Sequence, residues 1–372
     1  MYLNNAPAGA GITRQGDKME ITKLLNAMPE KEASDLHIGA NTPMHYRING
    51  MLVDATDHPL TPDETRKNVY AIMTEEQINR FEKERELDFS YSIENIARFR
   101  VNVFMQRSNV GCAIRMIPEY VRTIAECGLP EDIVKDFCKF PKGMVLVTGA
   151  TGSGKSTTLA AMVEEINKTR GCHIITVEDP IEYVHKNKKS IIDQREIHHD
   201  TYSFNNALRH VLRQDPDVIL IGELRDLESI QHALVIADTG HLVLATLHTS
   251  DSIQTINRII DVFPSHQQKQ VRIQLSFVLL GVISQQLIPT VGEDAQVLAT
   301  EILVATPPIK NMIRDERVHQ IYSSLQTSQK MGMKTMNQSL AELYNSGVIN
   351  YEAAISRSTD VEELVKLIGY PR

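Results

Sequence analysis

Hydrophobic positions change period along this chain, and each change marks a new element. From Met19 onward Ile21, Leu24, Leu25 and Met28 recur at helical spacing. Between about 35 and 54 the period shortens to that of strands: Leu36–Ile38, Met44–Ile48, then Asn49-Gly50, then Met51–Val53. Asn-Gly between alternating segments accepts the positive φ of a tight turn, so a hairpin is predicted there. A helix follows, capped by Thr61 or Asp63, with Val69, Ile72 and Met73 on its apolar side. Leu87–Ser92, Ala97–Gln106 and Val110–Ile117 then read as strands. Residues 19–117 are therefore expected to form a small α+β domain with a mostly antiparallel sheet.

From 130 onward the strands are short unbroken apolar runs: Met144–Thr148, His173–Val177, Val218–Ile221 and His241–Thr246. Polar residues and a helical stretch follow each run, the pattern of a parallel sheet covered on both faces. An α/β core is expected over 130–306. Helices are expected at 267–287 and 309–370, with 307–372 as a helical C-terminal region. Pro118 and the turn-like Cys127-Gly-Leu-Pro130 bracket a linker at 118–129. Residues 1–18 are rich in Gly, Ala and Asn without periodicity and read as a disordered extension. No internal repeat is present.

Composition narrows the function classes. The net charge is −8, with both signs mixed along the chain, there is no Trp, and aromatics make up 5%. A nucleic-acid channel needs a basic, aromatic-lined groove, so a translocase is disfavoured and no nucleic-acid partner is expected. Cys112, Cys127, Cys138 and Cys172 form no C-x-x-C pair, which suits buried thiols in a reducing compartment rather than zinc or disulfides. No apolar run approaches the roughly 18 residues that span a bilayer, so a soluble protein is expected, reaching a membrane only through a partner.

The chemistry concentrates in one stretch. Gly149-Ala150-Thr151-Gly152-Ser153-Gly154-Lys155-Ser156-Thr157 follows a buried strand and opens a helix, matching G-x-x-x-x-G-K-[ST]. The glycines let successive backbone N–H groups turn inward on phosphate oxygens, and the helix N-terminus adds its unpaired donors. Lys155 supplies a point charge for the β- and γ-phosphates, and Ser156 a hydroxyl for Mg²⁺. ATP and Mg²⁺ are thus the expected ligands. Three more strand ends supply acids and a γ-phosphate sensor, where ligands bind in open α/β sheets. Glu178 and Asp179 close one strand; a carboxylate there can reach Mg²⁺ through water or orient the nucleophile, while Asp179 equally suits a turn before Pro180. Val218–Ile221 leads to Gly222-Glu223, where many such enzymes carry Asp-Glu, leaving Glu223 to polarise water and answer to the metal. Arg225 and Asp226 read as a local ion pair or interface contact. His241 and His248 bracket a buried strand, with His248 past its end near the γ-phosphate and His241 at its start. Arg98, Arg100, Arg107 and Arg115 lie on strands of the small domain. Arg107 reads as solvated, whereas an arginine from another domain or subunit could stabilise charge on the transferred phosphoryl group.

Four motifs together resemble the secretion-type ATPases of type II secretion and type IV pili. They are Gly-Ala-Thr-Gly-Ser-Gly-Lys-Ser-Thr, Thr-Val-Glu-Asp-Pro-Ile-Glu-Tyr, Leu-Arg-Gln-Asp-Pro-Asp-Val-Ile-Leu-Ile-Gly-Glu-Leu-Arg-Asp and Thr-Gly-His-Leu-Val-Leu-Ala-Thr-Leu-His-Thr. In that family they are the Walker A, Asp box, Walker B and His box. Ser34-Asp-Leu-His37, Arg98-Phe-Arg-Val-Asn102, Ile192-Asp-Gln-Arg-Glu196 and Gly332-Met-Lys-Thr335 point to its pilus-retraction branch. The resemblance implies a homohexameric ring of subunits, each with a PAS-like N-terminal domain, a RecA-like P-loop domain and C-terminal helices. It implies Glu223 as catalytic glutamate, Glu178 in the Asp box, His241 and His248 in the His box, and Arg98, Arg100 and Arg115 among the phosphate-reaching arginines. It also implies work at the cytoplasmic face of the inner membrane on a pilus platform protein, with a paralogous pilus ATPase as a further partner. The four-cysteine zinc element of assembly ATPases is absent, which favours retraction. The retraction motif Ala-Ile-Arg-Asn-Leu-Ile-Arg-Glu appears as Pro308-Ile-Lys-Asn-Met-Ile-Arg-Asp315, leaving main motor and accessory motor both open.

Overall fold

A computed structural model describes residues 18–369 apart from 49, 95, 118–119 and 293–294. The expected extension at 1–18 therefore lies almost wholly outside the described residues, as do Asn49 and Pro118. The chain divides into two compact units, up to 119 and from 120 on.

The smaller unit contains α1 (Lys18–Ala27), β1 (Ala33–Ile38), β2 (His45–Ile48), β3 (Met51–Asp54), α2 (Pro62–Tyr70), α3 (Glu75–Glu84), β4 (Glu86–Ile93), β5 (Ala97–Gln106) and β6 (Asn109–Ile117). Its six strands form one sheet in the order β3-β2-β1-β6-β5-β4, and every neighbouring pair is antiparallel. The alternation seen in the sequence is the alternation of its faces: Phe99, Val101 and Val103 of β5 are buried, while Arg98, Arg100 and Asn102 are not. Thr61 caps α2 in a reciprocal box with Glu64, which settles the choice against Asp63. That helix ends at Tyr70, so Ile72 and Met73 belong to the turn behind it. Helix α3 was not expected: its ten residues, mostly charged, bury Phe81 alone and so show no apolar stripe.

The larger unit runs α4 (Glu131–Lys139), β7 (Gly143–Thr148), α5 (Lys155–Thr169), β8 (His173–Glu178), β9 (Ile191–Glu196), α6 (Phe204–Val211), β10 (Val218–Ile221), α7 (Leu227–Asp238), β11 (Leu242–Leu247), α8 (Ser252–Asp261), α9 (Ser265–Val278), β12 (Leu279–Pro289) and β13 (Gln296–Val304). Helices α10 (Pro307–Arg314), α11 (Ile321–Thr327), α12 (Met336–Asn345), α13 (Tyr351–Arg357) and α14 (Val361–Ile368) complete it, as expected for 309–370. The sheet order is β13-β12-β7-β11-β10-β8-β9, parallel except for the β12–β13 pair. Strand β7 is buried at every position, and its alternate side chains feed two different cores: Met144 and Leu146 one, Val145 and Val147 the other. Apolar cover on both faces is why these strands read as unbroken runs.

One expectation fails here. Residues 267–287 are not one helix: α9 stops at Val278, and β12 takes over beside β7, with β13 folding back on it. The polar Ser284 and Gln285 disguise a buried strand, because both spend their polarity inside the fold. Thr148 Oγ1 donates to Ser284 Oγ at 2.9 Å, and Gln285 Nε2 donates to Thr158 Oγ1 at 2.8 Å. Gly281 is obligatory for packing: a Cβ there would stand 2.2 Å from the Phe137 ring and 2.8 Å from Leu303 O. Pro308, which with Lys310 departs from the retraction motif, falls in the first turn of α10, where a missing N–H breaks no helical bond.

Candidate active site

The loop after β7 is built for backbone N–H groups to converge. Gly149, Gly152 and Gly154 have φ of 145°, 78° and 87°. At Gly149 a Cβ would lie 2.5 Å from both Gln285 O and Ser153 Oγ, so no other residue fits. Gly154 is the N-cap of α5 and offers no side chain to its first-turn donors, which stay available to an anion. The Ser153 hydroxyl is buried in the same loop with no hydrogen-bond partner. Lys155 Nζ donates to Gly149 O and Ala150 O, each at 2.9 Å. Burial lowers the pKa of this ammonium, while the charges of Glu223 and Glu182 oppose that shift. These features suit a triphosphate. The oxygen donors Ser156 and Glu223 suit Mg²⁺, which favours oxygen ligands and keeps waters and phosphate oxygens in its shell.

Glu178 ends β8. Burial pushes its carboxyl up to about 7, against the pull of three donors: Thr176 Oγ1 at 2.6 Å, Gln194 Nε2 at 3.2 Å and the Glu182 backbone N–H. Asp179 is exposed at the start of the following loop. Farther along that loop the Tyr183 hydroxyl meets Thr157 Oγ1 at 2.8 Å, tying the acidic segment to the P-loop helix.

Strand β10 delivers Gly222 and Glu223. A Cβ at position 222 would sit 3.3 Å from Glu178 Cα and from Val177 O, a steric reason for glycine where other P-loop enzymes carry Asp. Gly222 N–H donates to Val177 O at 2.8 Å, and Thr246 Oγ1 donates to Gly222 O at 2.6 Å. The turn is thus fixed from both neighbouring strands. Glu223 then lies between two cationic or protonatable groups: Arg225 Nη2 at 2.9 Å from Oε2, and His248 Nε2 at 3.3 Å from Oε1. Arg225, read from the sequence as a local contact, is in fact bound to the catalytic candidate itself. Asp226 has a different task, accepting from Ser229 N–H at 2.8 Å as the N-cap of α7.

His241 is not part of this group within the unit. Strand β11 runs parallel to β7, with Leu242 beside Gly143 and Leu247 beside Thr148. His248 therefore emerges at the P-loop end, and His241 about 20 Å away at the other. There His241 Nδ1 lies 3.1 Å from Ile236 O and 3.2 Å from Thr239 Oγ1, closing the turn after α7.

The arginines belong to the smaller unit. Arg100 and Arg115 face each other across β5 and β6. Arg115 Nε binds Asp35 Oδ1 at 2.8 Å and Arg100 Nε lies 3.7 Å from Asp88 Oδ1. Arg98 sits two residues before Arg100 on the same face, opposite Ser92. Arg107 occupies the exposed β5–β6 turn with φ of 47°. Sequence reasoning missed Glu182, Gln194 and Tyr183. Glu182 and Tyr183 close the acidic stretch that begins at Thr176, and Gln194 stands inside Ile192–Glu196, so each lay within a motif that gave it no role of its own.

Comparison with known proteins supplies the remaining context. Residues 16–363 match the family described as type II/IV secretion system protein. The chain is 47% identical over 336 residues to the type IV pilus retractation ATPase PilT of Pseudomonas aeruginosa, covering 90% of this chain and 97% of that one. It is 42% identical over 350 residues to the type IV pilus ATPase PilU of the same organism, covering 94% and 91%. Among solved structures, the pilus retraction motor PilT with bound ADP superposes with a TM-score of 0.85 at 47% identity, covering 92% of this chain and 98% of that one.

Proposed function

The chain belongs to the type II/IV secretion system protein family, and we propose that it is an ATP-hydrolysing motor that powers type IV pilus retraction. The observation that carries this reading is the Glu223 carboxylate, held between Arg225 and His248 at the end of the sheet that also bears the P-loop. A phosphoryl-transfer enzyme does little covalent work of its own; it positions the groups and stabilises charge. The P-loop N–H groups and the α5 N-terminus take the phosphate chain. Lys155 exchanges its two loop carbonyls for phosphate oxygens. Glu223 polarises the attacking water, His248 reports on the γ-phosphate through its bond to Glu223, and Glu178 orients the water or the metal's hydration shell. Mg²⁺, when bound with the nucleotide through Ser156 and Glu223, supplies neutralisation of charge on the β- and γ-oxygens.

Arg98, Arg100 and Arg115 supply positive charge to the phosphates in an assembled homohexamer. The ring works from the cytoplasmic side on an inner-membrane platform protein and turns the hydrolysis cycle into pilin disassembly. Among the described residues no helix is long and apolar enough to cross a membrane, so the reading includes attachment through that platform.

ATPase activity against protein concentration, with mass from light scattering, tests this for wild type and Lys155→Ala. Activity that rises with ring formation and vanishes in the variant supports the motor. An intact ring of wild type without activity sinks it. The likeness to PilU favours a second reading, an accessory ring acting with a partner motor. Retraction restored by this protein in cells lacking every other retraction ATPase would eliminate that alternative.

A further inference from the structure

Strand β9, the Ile192-Asp-Gln-Arg-Glu196 stretch, has no part in the reading above, yet it holds the acidic loop of the site. The Gln194 amide makes three bonds to that loop. Its Nε2 donates to Glu178 Oε1 at 3.2 Å and to Tyr183 O at 2.8 Å, and its Oε1 accepts from His185 N–H at 2.8 Å. Two residues on, and so on the same face of the strand, Glu196 is 2% exposed and accepts from Ile181 N–H with Oε2 at 3.1 Å. One face of β9 thus grips the loop at 178, 181, 183 and 185. From its other side Tyr183 reaches Thr157, the neighbour of Ser156.

We propose that Gln194 is a positioning residue for hydrolysis, fixing the Glu178 carboxylate directly and through its hold on the loop that follows it. The proposal rests on the reading of Glu178 as the group that orients water or metal hydration. Without the Gln194 donor, the donors left to Glu178 among the described residues are Thr176 and the Glu182 N–H, both from its own strand and loop. Among the described residues, its carboxylate then has no side-chain hydrogen bond from the neighbouring strand to set its direction. The loop from 179 to 185 loses two backbone ties at the same time. Misplacement by about 1 Å of a group that orients a nucleophile costs on the order of 100-fold in rate without weakening substrate binding to match.

The test compares wild type, Gln194→Ala, Gln194→Glu, Glu178→Gln and the double variant Gln194→Ala/Glu178→Gln, each as full-length protein with ring mass and thermal melting recorded. Gln194→Ala is expected to lower kcat about 10- to 100-fold with KM for ATP within about twofold. Because Gln194 acts through Glu178, the double variant should be no slower than Glu178→Gln alone. Gln194→Glu keeps the shape and the acceptor for His185 but sets a second carboxylate against Glu178. It should lose at least as much rate as the alanine variant, and it carries the test if the alanine variant does not fold. Losses that multiply in the double variant, or wild-type kcat in Gln194→Glu, overturn the positioning role while leaving Glu178 in place. Wild-type kcat in Glu178→Gln removes both.

Discussion

The two units carry their candidate functional charges in opposite ways. In the larger one the charges stand at the carboxyl ends of buried parallel strands, inside networks that perturb them: Glu178 is pushed up to about 7 by burial, and the Lys155 ammonium is pushed down. In the smaller one they ride the wet face of an antiparallel sheet. Arg115 is 71% exposed, although its partner Asp35 is only 8% exposed. Two arginines directly opposite on neighbouring strands repel, and each is steadied by its own acid, Asp35 for Arg115 and Asp88 for Arg100. The Asp35 bond uses Arg115 Nε and leaves the terminal nitrogens of the guanidinium for another anion. The proposed function is thus less entangled with folding in the small unit than in the large one.

The largest effect should come from the exposed side of this contrast. Arg115→Ala is expected to lower kcat by about 10³, the low end for an arginine that meets transferring phosphate. Arg100→Ala, whose partner Asp88 is exposed as well, should move folding stability by less than about 1 kcal/mol, whereas Arg115→Ala leaves the buried Asp35 with Ser34 and the more distant Arg47 and should cost more. Steady-state hydrolysis together with urea unfolding measures both. A large stability loss in Arg100→Ala, with full activity in Arg115→Ala, would reverse the contrast. On the buried side, Glu223→Gln should cost about 10²-fold or more in kcat while ring mass and nucleotide binding persist, because the amide keeps the shape but cannot take up proton density. Wild-type turnover would end the assignment of Glu223.

Entanglement predicts a pH signature next. Between about 4.5 and 7 folded Glu178 holds a proton that its unfolded counterpart has released. Its contribution to stability is therefore present at acid pH and lost as pH rises through that window. The loss is of order 3 kcal/mol for a shift of this size. Glu178→Gln should remove it, making the variant the more stable of the two at pH 8 and close to wild type at pH 4.5. Unfolding curves across that range that run parallel for the two proteins would show that burial leaves Glu178 unperturbed.

The same contrast decides what could be read in advance. Strands β7, β8, β10 and β11 announce themselves because cover on both faces demands unbroken apolar runs, and the glycines of the P-loop have backbone angles that few residues adopt. The arginine face was visible as an alternation. Strand β12 was hidden because Ser284 and Gln285 look like helix surface until Thr148 and Thr158 are found opposite them. Strand β9 lies at the sheet edge with only Ile192 and Glu196 buried, too weak a pattern to separate from loop. The pairing of Glu223 with Arg225 was unreadable for another reason: both lie past the end of β10 at Ile221, in a turn whose course is held by Thr246 on a different strand. His241 and His248 show the limit from the other side. Their spacing placed them at the two ends of β11 with His248 at the phosphate end. The parallel register with β7 puts His248 at the P-loop end and leaves His241 at the far end of the sheet, away from the group in which the family resemblance put it.

The smallest effect separates two neighbours at the mouth of the site. Arg225 binds the Glu223 carboxylate, whereas Asp226 binds the backbone: its Oδ1 accepts from Ser229 N–H at 2.8 Å, and Ser229 Oγ accepts in return from the Asp226 N–H at 3.3 Å. An acid at the carboxyl end of a parallel strand is thus not always chemical. Asp226→Ala should cost about 1 kcal/mol of stability, the usual loss for an N-cap, with kcat within about twofold of wild type. Asp226→Asn keeps the acceptor and should restore most of that stability. A fall in kcat with no change in melting would mean instead that Asp226 works with Arg225 on Glu223, and the division of labour between backbone and site would have to be redrawn one residue earlier.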